Sequence, residues 1–312
     1  MLSRTVLVFA VFIAVSFSAC VNKSETGAQR PAASSTPAPL PPGVRNADFI
    51  ARLEAICARA GGRCGVAVMH VEKGESTSAG GDTPLPLYSV FKLPLAVTVL
   101  KEVEEGQLGL DQKIRVEPEE AAPGVKTNSD LWRKASDRTL RELLEFSIVR
   151  SDNTSSDKML ELVGGPEAVT RRMRALGLES IDVRASAKEF LKSTGAHPNT
   201  STPTDLARLL VLLQKGEVLA PPQLEVLLGL MGRVVTGDRR LRAGPPAGTP
   251  VADKTGTGPS TTNDVGIITL PGDRGHLALA VLLDGSKLPA EKQEDLIAEV
   301  ARTAYDAYVP AK

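Results

Sequence analysis

Apolar and polar positions along this chain change period twice. Phe49, Ile50, Leu53, Ile56 and Cys57 recur at the spacing of one helix face, with Asn46 placed to cap the helix. Cys64 to Val71 then reads as a short buried strand. From about Ser89 to Met231 the pattern is almost wholly helical. Thr139-Leu-Arg-Glu142 has the form of a capping box and opens a helix over Leu140 to Val149. Pro166 stands at a first helical position, and Thr202-Pro203-Thr204-Asp205 opens a leucine-rich helix that Gly216 can end. Beyond Lys254 strand character returns over Asp264 to Leu270 and Leu277 to Leu283, around a Pro271-Gly272-Asp273 turn. An amphipathic helix from about Ala290 to Tyr308 closes the chain. A two-strand ribbon alone would be marginal, so the two chain ends must share one sheet. The predicted fold is α/β: an antiparallel sheet built from both ends (about 45–86 and 232–312), flanked by helices, with an inserted all-α part over about 87–231.

The N-terminus departs from this pattern. Arg4 supplies a positive n-region, and Val6 to Phe17 is an apolar run of h-region length. That run is shorter than the roughly 20 apolar residues of a spanning helix. Phe17-Ser18-Ala19-Cys20 resembles a bacterial lipobox. The favoured reading is a lipoprotein signal peptide over 1–19 with lipidation of Cys20; the alternative is an ordinary signal peptide and an incidental cysteine. Residues 20–44 are rich in Pro, Ala and Ser and read as an extended tether. Residues 45–312 are left as a single folded domain, expected to be exported to the periplasm and tethered to a membrane by its lipid.

Composition narrows the partners. Of 312 residues 42% are apolar and 24% charged, ordinary for a chain that buries a full core. Thirty-seven basic residues balance thirty-seven acidic ones, so no field draws the domain to nucleic acid or to an anionic membrane. A monomer is expected. Cys57 and Cys64 could pair across Gly61-Gly62 in an exported protein, or remain two buried thiols. The three histidines, His70, His197 and His276, are isolated and carry no H-E-x-x-H pattern. Neither a serine–histidine triad nor a metal site is expected, and no cofactor is called for.

Three short segments carry chemistry: Ser89-Val90-Phe91-Lys92, Ser151-Asp152-Asn153 and Lys254-Thr255-Gly256. Each alone is weak. A second S-x-x-K occurs at Ser155 to Lys158, small polar residues after a helix often serve as caps, and Lys254 to Gly258 could be a Gly-rich turn. As an ordered set they supply a hydroxyl nucleophile, amines and a relaying hydroxyl, the inventory for acyl transfer through a serine ester without histidine. Ser89 is expected at a helix start, with Lys92 one turn on and on the same face. Lys92 can take the Ser89 proton if burial and neighbouring cations lower its pKa.

This trio, in this order, is the signature of class A β-lactamases and penicillin-binding proteins. Over residues 45–312 the chain resembles a class A serine β-lactamase, and the separations of 62 and 103 residues between Ser89, Ser151 and Lys254 are close to those of the family. The resemblance implies a β-lactamase/transpeptidase-like fold and a small-molecule β-lactam, or a peptidoglycan stem-peptide mimic, as substrate. It implies Ser89 as nucleophile, Lys92 or a glutamate as acylation base, and Ser151 as proton relay. It places Asn153 on a substrate carbonyl, Lys254 and Thr255 on a carboxylate, and the backbone N–H groups of Ser89 and Thr257 in an oxyanion hole. Two positions depart from the family. Val265 stands where many members have an arginine, and Arg240 matches the place from which some relatives supply that cation. The family's deacylating glutamate aligns without a gap to Ser186, so Glu189 can serve only if the loop is about three residues shorter. Three functions are thereby separated: a β-lactamase, a D,D-peptidase-like penicillin-binding protein that releases slowly, and a sensor that does not turn over.

Overall fold

The computed structural model describes residues 47–123, 130–192 and 197–309. The leader, Cys20, the tether and the capping Asn46 lie outside the described residues. Helix α1 (Ala47–Ala58) leads into strands β1 (Arg63–His70), β2 (Ser76–Ala79) and β3 (Leu85–Pro86). A 3-10 turn over Tyr88–Phe91 opens α2 (Lys92–Glu104). A ribbon of β4 (Lys113–Val116) and β5 (Ser136–Thr139) precedes α3 (Leu140–Val149), α4 (Asn153–Leu162), α5 (Pro166–Ala175) and the single turn α6 (Ala187–Phe190). Strand β6 (Thr200–Ser201), α7 (Pro203–Gln214) and α8 (Pro221–Gly232) follow. Then come β7 (Val251–Gly258), β8 (Thr261–Thr269), β9 (His276–Asp284) and α9 (Ala290–Tyr308).

The sheet has the order β2-β1-β9-β8-β7, every pairing antiparallel, so the two chain ends do share it. Strand β9 shows why its sequence is continuously apolar. Leu277, Leu279, Val281 and Leu283 pack with α1 and α9 on one face, while Ala278, Ala280 and Leu282 join the helical core on the other. Successive side chains point to opposite faces, and here both faces are covered. Helix α2 is the counterpart in the helical part: every residue from Lys92 to Leu100 is buried, as expected of a helix surrounded by others. Lys92 is thus carried into the interior by the helix that begins with it.

Local signals were legible where a side chain closes its own turn. Thr139 Oγ1 accepts from the Glu142 N–H at 3.2 Å, and Glu142 accepts in return from the Thr139 N–H at 2.8 Å, the expected capping box. Thr202 caps α7 through the Asp205 N–H, with Pro203 at its first position. The β4–β5 ribbon departs from the wholly helical reading of this stretch. Its Lys113-Ile-Arg-Val116 alternates exposed and buried, but four residues are too few to outweigh the helical pattern on either side.

Cys57 and Cys64 are bonded, joining the end of α1 to the start of β1. The cysteines lie 7 positions apart, and the small closed ring limits the denatured chain by about 2 kcal/mol. The double variant Cys57→Ser/Cys64→Ser is expected to fold and to melt several degrees lower in thermal unfolding; an unchanged midpoint would assign the bond no role in stability.

Candidate active site

The three sequence motifs converge. Lys92 Nζ is fully buried and donates to Ser89 Oγ (3.1 Å), Ser151 O (2.7 Å), Ser151 Oγ (3.3 Å) and Asn153 Oδ1 (2.7 Å). Lys254 Nζ, equally buried, donates to Ser151 Oγ (3.1 Å) and Thr255 O (2.9 Å). One hydroxyl therefore bridges two amines, and every oxygen that either amine touches is uncharged. Burial, followed by the charge of Lys254, drives Lys92 well below its usual range, against a weaker pull from Asp152 and Asp157. Burial likewise lowers Lys254 to about 8, against Asp253 and Asp264 behind it. Both shifts favour the free amine.

The backbone that holds these groups is strained at two points. Tyr88 and Ser151 adopt positive φ angles of 45° and 56°, a region that costs a non-glycine residue energy and persists only where the surroundings enforce it. Ser89 sits in the 3-10 turn ahead of α2 rather than on the helix itself, half-buried at its mouth. Strand β7 approaches that turn closely. A Cβ at Gly256 would meet the Leu87 carbonyl oxygen at 2.4 Å. The glycine is thus required by the contact between strand and nucleophile turn, whatever a substrate needs. Asn263 ties the same turn to the sheet, donating from Nδ2 to Pro86 O at 2.8 Å and accepting the Leu283 N–H at 3.1 Å.

Asp152 explains why the middle motif looks like a cap. Its Oδ1 accepts from the Ser155 N–H (2.7 Å), Ser155 Oγ (2.6 Å) and Trp132 Nε1 (3.1 Å), so it caps α4 while Ser151 and Asn153 on either side face Lys92. The second S-x-x-K resolves the same way: Ser155 serves that cap, and Lys158 pairs with Glu120 and Glu161. The histidines are occupied elsewhere, His70 with the Arg274 carbonyl, His276 with Glu72, and His197 with the Asn199 carbonyl.

Arg240 is 5% exposed. It donates to the Gly256 and Asn263 carbonyls at 3.2 and 3.0 Å and to Thr257 Oγ1 at 2.8 Å, with Glu294 behind it at 3.1 Å. It is thus a buried cation at the exposed Thr257 edge of β7, while Val265 is packed in the core. Thr255 Oγ1 lies 2.6 Å from Thr236 Oγ1, a neighbour that no motif announced.

Glu189 stands apart from the three motifs. It is exposed and completes the capping box of its own short helix, accepting the Ser186 N–H at 2.8 Å while Ser186 Oγ accepts the Glu189 N–H at 3.3 Å. It borders a cavity of about 410 Å³ shared with Glu120, Glu161 and Pro166, which none of Ser89, Lys92, Ser151 and Lys254 lines. The neighbouring Phe190 is buried and packs edge-on against Tyr88 and Phe91, with ring centroids 6.3 and 6.1 Å apart. A residue without a motif, Asp157, holds this segment: its two oxygens accept the Ala187 and Lys188 N–H groups at 2.6 and 2.9 Å. Burial raises its carboxyl to about 6, against those two donors and Lys92. Its only sequence signal is the four-residue step from Asn153, which puts both on one face of α4.

The model of the β-lactamase enzyme family matches residues 48–308. Beta-lactamase VEB-1 of Pseudomonas aeruginosa is 30% identical over 83% of this chain and 89% of its own length. The extended-spectrum β-lactamase PER-1 of the same organism is 32% identical over 77% and 81%. A crystal structure of a β-lactamase from Chitinophaga pinensis superposes with a TM-score of 0.80 at 33% identity, covering 83% of this chain and 99% of that one. An ancestral class A β-lactamase gives 0.77 at 35% identity, over 83% and 99%. With the buried lysine pair, the bridging serine and the shared sheet all in place, the chain belongs to the β-lactamase enzyme family, in its class A branch.

Proposed function

We propose that Ser89 opens the ring of β-lactam antibiotics through a serine ester, with Lys92 as its base and Ser151 as the relay to Lys254. The observation that carries this reading is the Lys92 amine, which lies 3.1 Å from Ser89 Oγ and, among the described residues, donates its hydrogen bonds to uncharged oxygens. A neutral Lys92 accepts the Ser89 proton as Oγ bonds to the lactam carbonyl carbon. The carbon–nitrogen bond then breaks, and the ring nitrogen takes a proton through Ser151 Oγ, which both amines reach. Lys254, Thr255 and Arg240 face the substrate carboxylate, Thr257 and Asn153 its amide groups, and the Ser89 and Thr257 N–H groups the oxyanion. We leave Glu189, exposed and closing its own helical turn, out of this relay.

Ser89→Ala is expected to cut hydrolysis of a chromogenic cephalosporin by about a thousandfold or more and to abolish the acyl adduct in an intact-mass spectrum. Hydrolysis at the parent rate would remove Ser89 from the mechanism.

The Lys254 ammonium predominates below pH about 8, and the free amine above it. Substrates that carry a carboxylate should therefore show KM rising up to about tenfold between pH 7 and pH 9. A flat KM over that range would assign carboxylate binding to Arg240 alone.

We also propose that the chain is exported to the periplasm and held there by a lipid on Cys20. Cys20→Ser should move the protein from the membrane fraction to the soluble one; an unchanged distribution would favour the ordinary signal peptide.

A further inference from the structure

Breaking a serine ester requires a group that takes a proton from the attacking water. The carboxylates nearest the two lysines, and Glu189, are each engaged elsewhere. Asp152 caps α4 and accepts three donors. Asp157 spends both oxygens on the backbone of the 186–190 segment. Glu189 closes its own helical turn and opens to the outer cavity. Asp253 pairs with Arg242, and Asp264 accepts the Leu241 N–H, both behind Lys254. Toward the nucleophile turn, the 186–190 segment presents the Phe190 ring against Tyr88 and Phe91. Adjacent residues on a helical turn point about 100° apart, so with Phe190 packed inward Glu189 is carried outward. Among the described residues, the ionisable group in hydrogen-bond reach of Ser89 Oγ is Lys92.

We infer that Lys92 is the one base for both halves of the reaction, so that the Ser89 ester forms quickly and is released slowly. This rests on the acylation reading above. In the second half a water oxygen bonds to the ester carbon and gives its proton to the Lys92 amine. The Ser89 C–O bond then breaks, and Oγ takes that proton back from Lys92, leaving an acid and free serine. Water, ester and amine balance without a further reactant. A positioned general base contributes about 10²- to 10⁴-fold, and the same amine must serve a new atom in a new position once the ester has formed.

The test mixes the full chain with excess benzylpenicillin and follows intact mass and product together. The expected result is a stoichiometric adduct on Ser89 that decays at least about a hundredfold more slowly than it forms. Hydroxylamine is a stronger nucleophile than water and depends less on a base, so it should shorten the adduct lifetime about tenfold or more. Fast product formation without adduct build-up would overturn the inference, as would a tenfold longer lifetime in Glu189→Gln. An adduct indifferent to hydroxylamine would also overturn it, by placing the block in access rather than in the missing base. Absence of both adduct and product would instead reject the acylation of Ser89 itself.

Discussion

Two lysine amines buried around one serine hydroxyl set the terms for the rest of the site. Lys92 and Lys254 are each fully enclosed, and each reaches Ser151 Oγ. A buried ammonium without a counter-ion is costly, and two of them close together are costlier. The protein resolves this by surrounding both with neutral oxygens and letting their pKa values fall, so the cost of burial becomes a supply of free amine beside Ser89. Asp253 and Asp264 behind Lys254 moderate its fall, which leaves Lys254 the more cationic of the two.

Such a cluster needs walls that do not move, and the fold supplies them from both chain ends. Helix α2 is buried over its first nine residues, which fixes Lys92. Strand β7 is paired along its length to β8, which fixes Lys254. The two meet where Gly256 touches the Leu87 carbonyl, with no room for a side chain. The positive φ of Tyr88 and Ser151 marks where the backbone is bent to aim a side chain inward, strain that the packed core around it sustains. Arg240 extends the same logic, since Glu294 on the last helix backs a guanidinium that reaches β7.

Much of this could be read from the chain alone, for identifiable reasons. The capping box at Thr139 and the Thr202-Pro203 helix start are local, because each is closed by a residue three positions away. The shared sheet followed from the need to cover two apolar strands that no nearby segment could partner. The nucleophile, its amine and the relay were legible because that chemistry needs particular side chains in a particular order. Other features were legible only in part. The Ser151-Asp152-Asn153 segment carries the residue types of a cap and Asp152 is one, yet its neighbours Ser151 and Asn153 face the lysine, a division that spacing alone does not reveal.

The sequence by itself determined the class of chemistry, the family and several helix boundaries, since these depend on residue type and short-range hydrogen bonding. Only the tertiary structure decided the direction of Glu189, the burial of Arg240 and the use of Gly256. Glu189 and Phe190 are neighbours in the chain, and which of them faces the nucleophile is set by the rings of Tyr88 and Phe91, about one hundred residues away. Arg240 was named from the sequence as a candidate cation, but its enclosure by β7, β8 and α9 left no mark there. In each case the deciding contact joins segments far apart in sequence, and a local pattern carries no record of it.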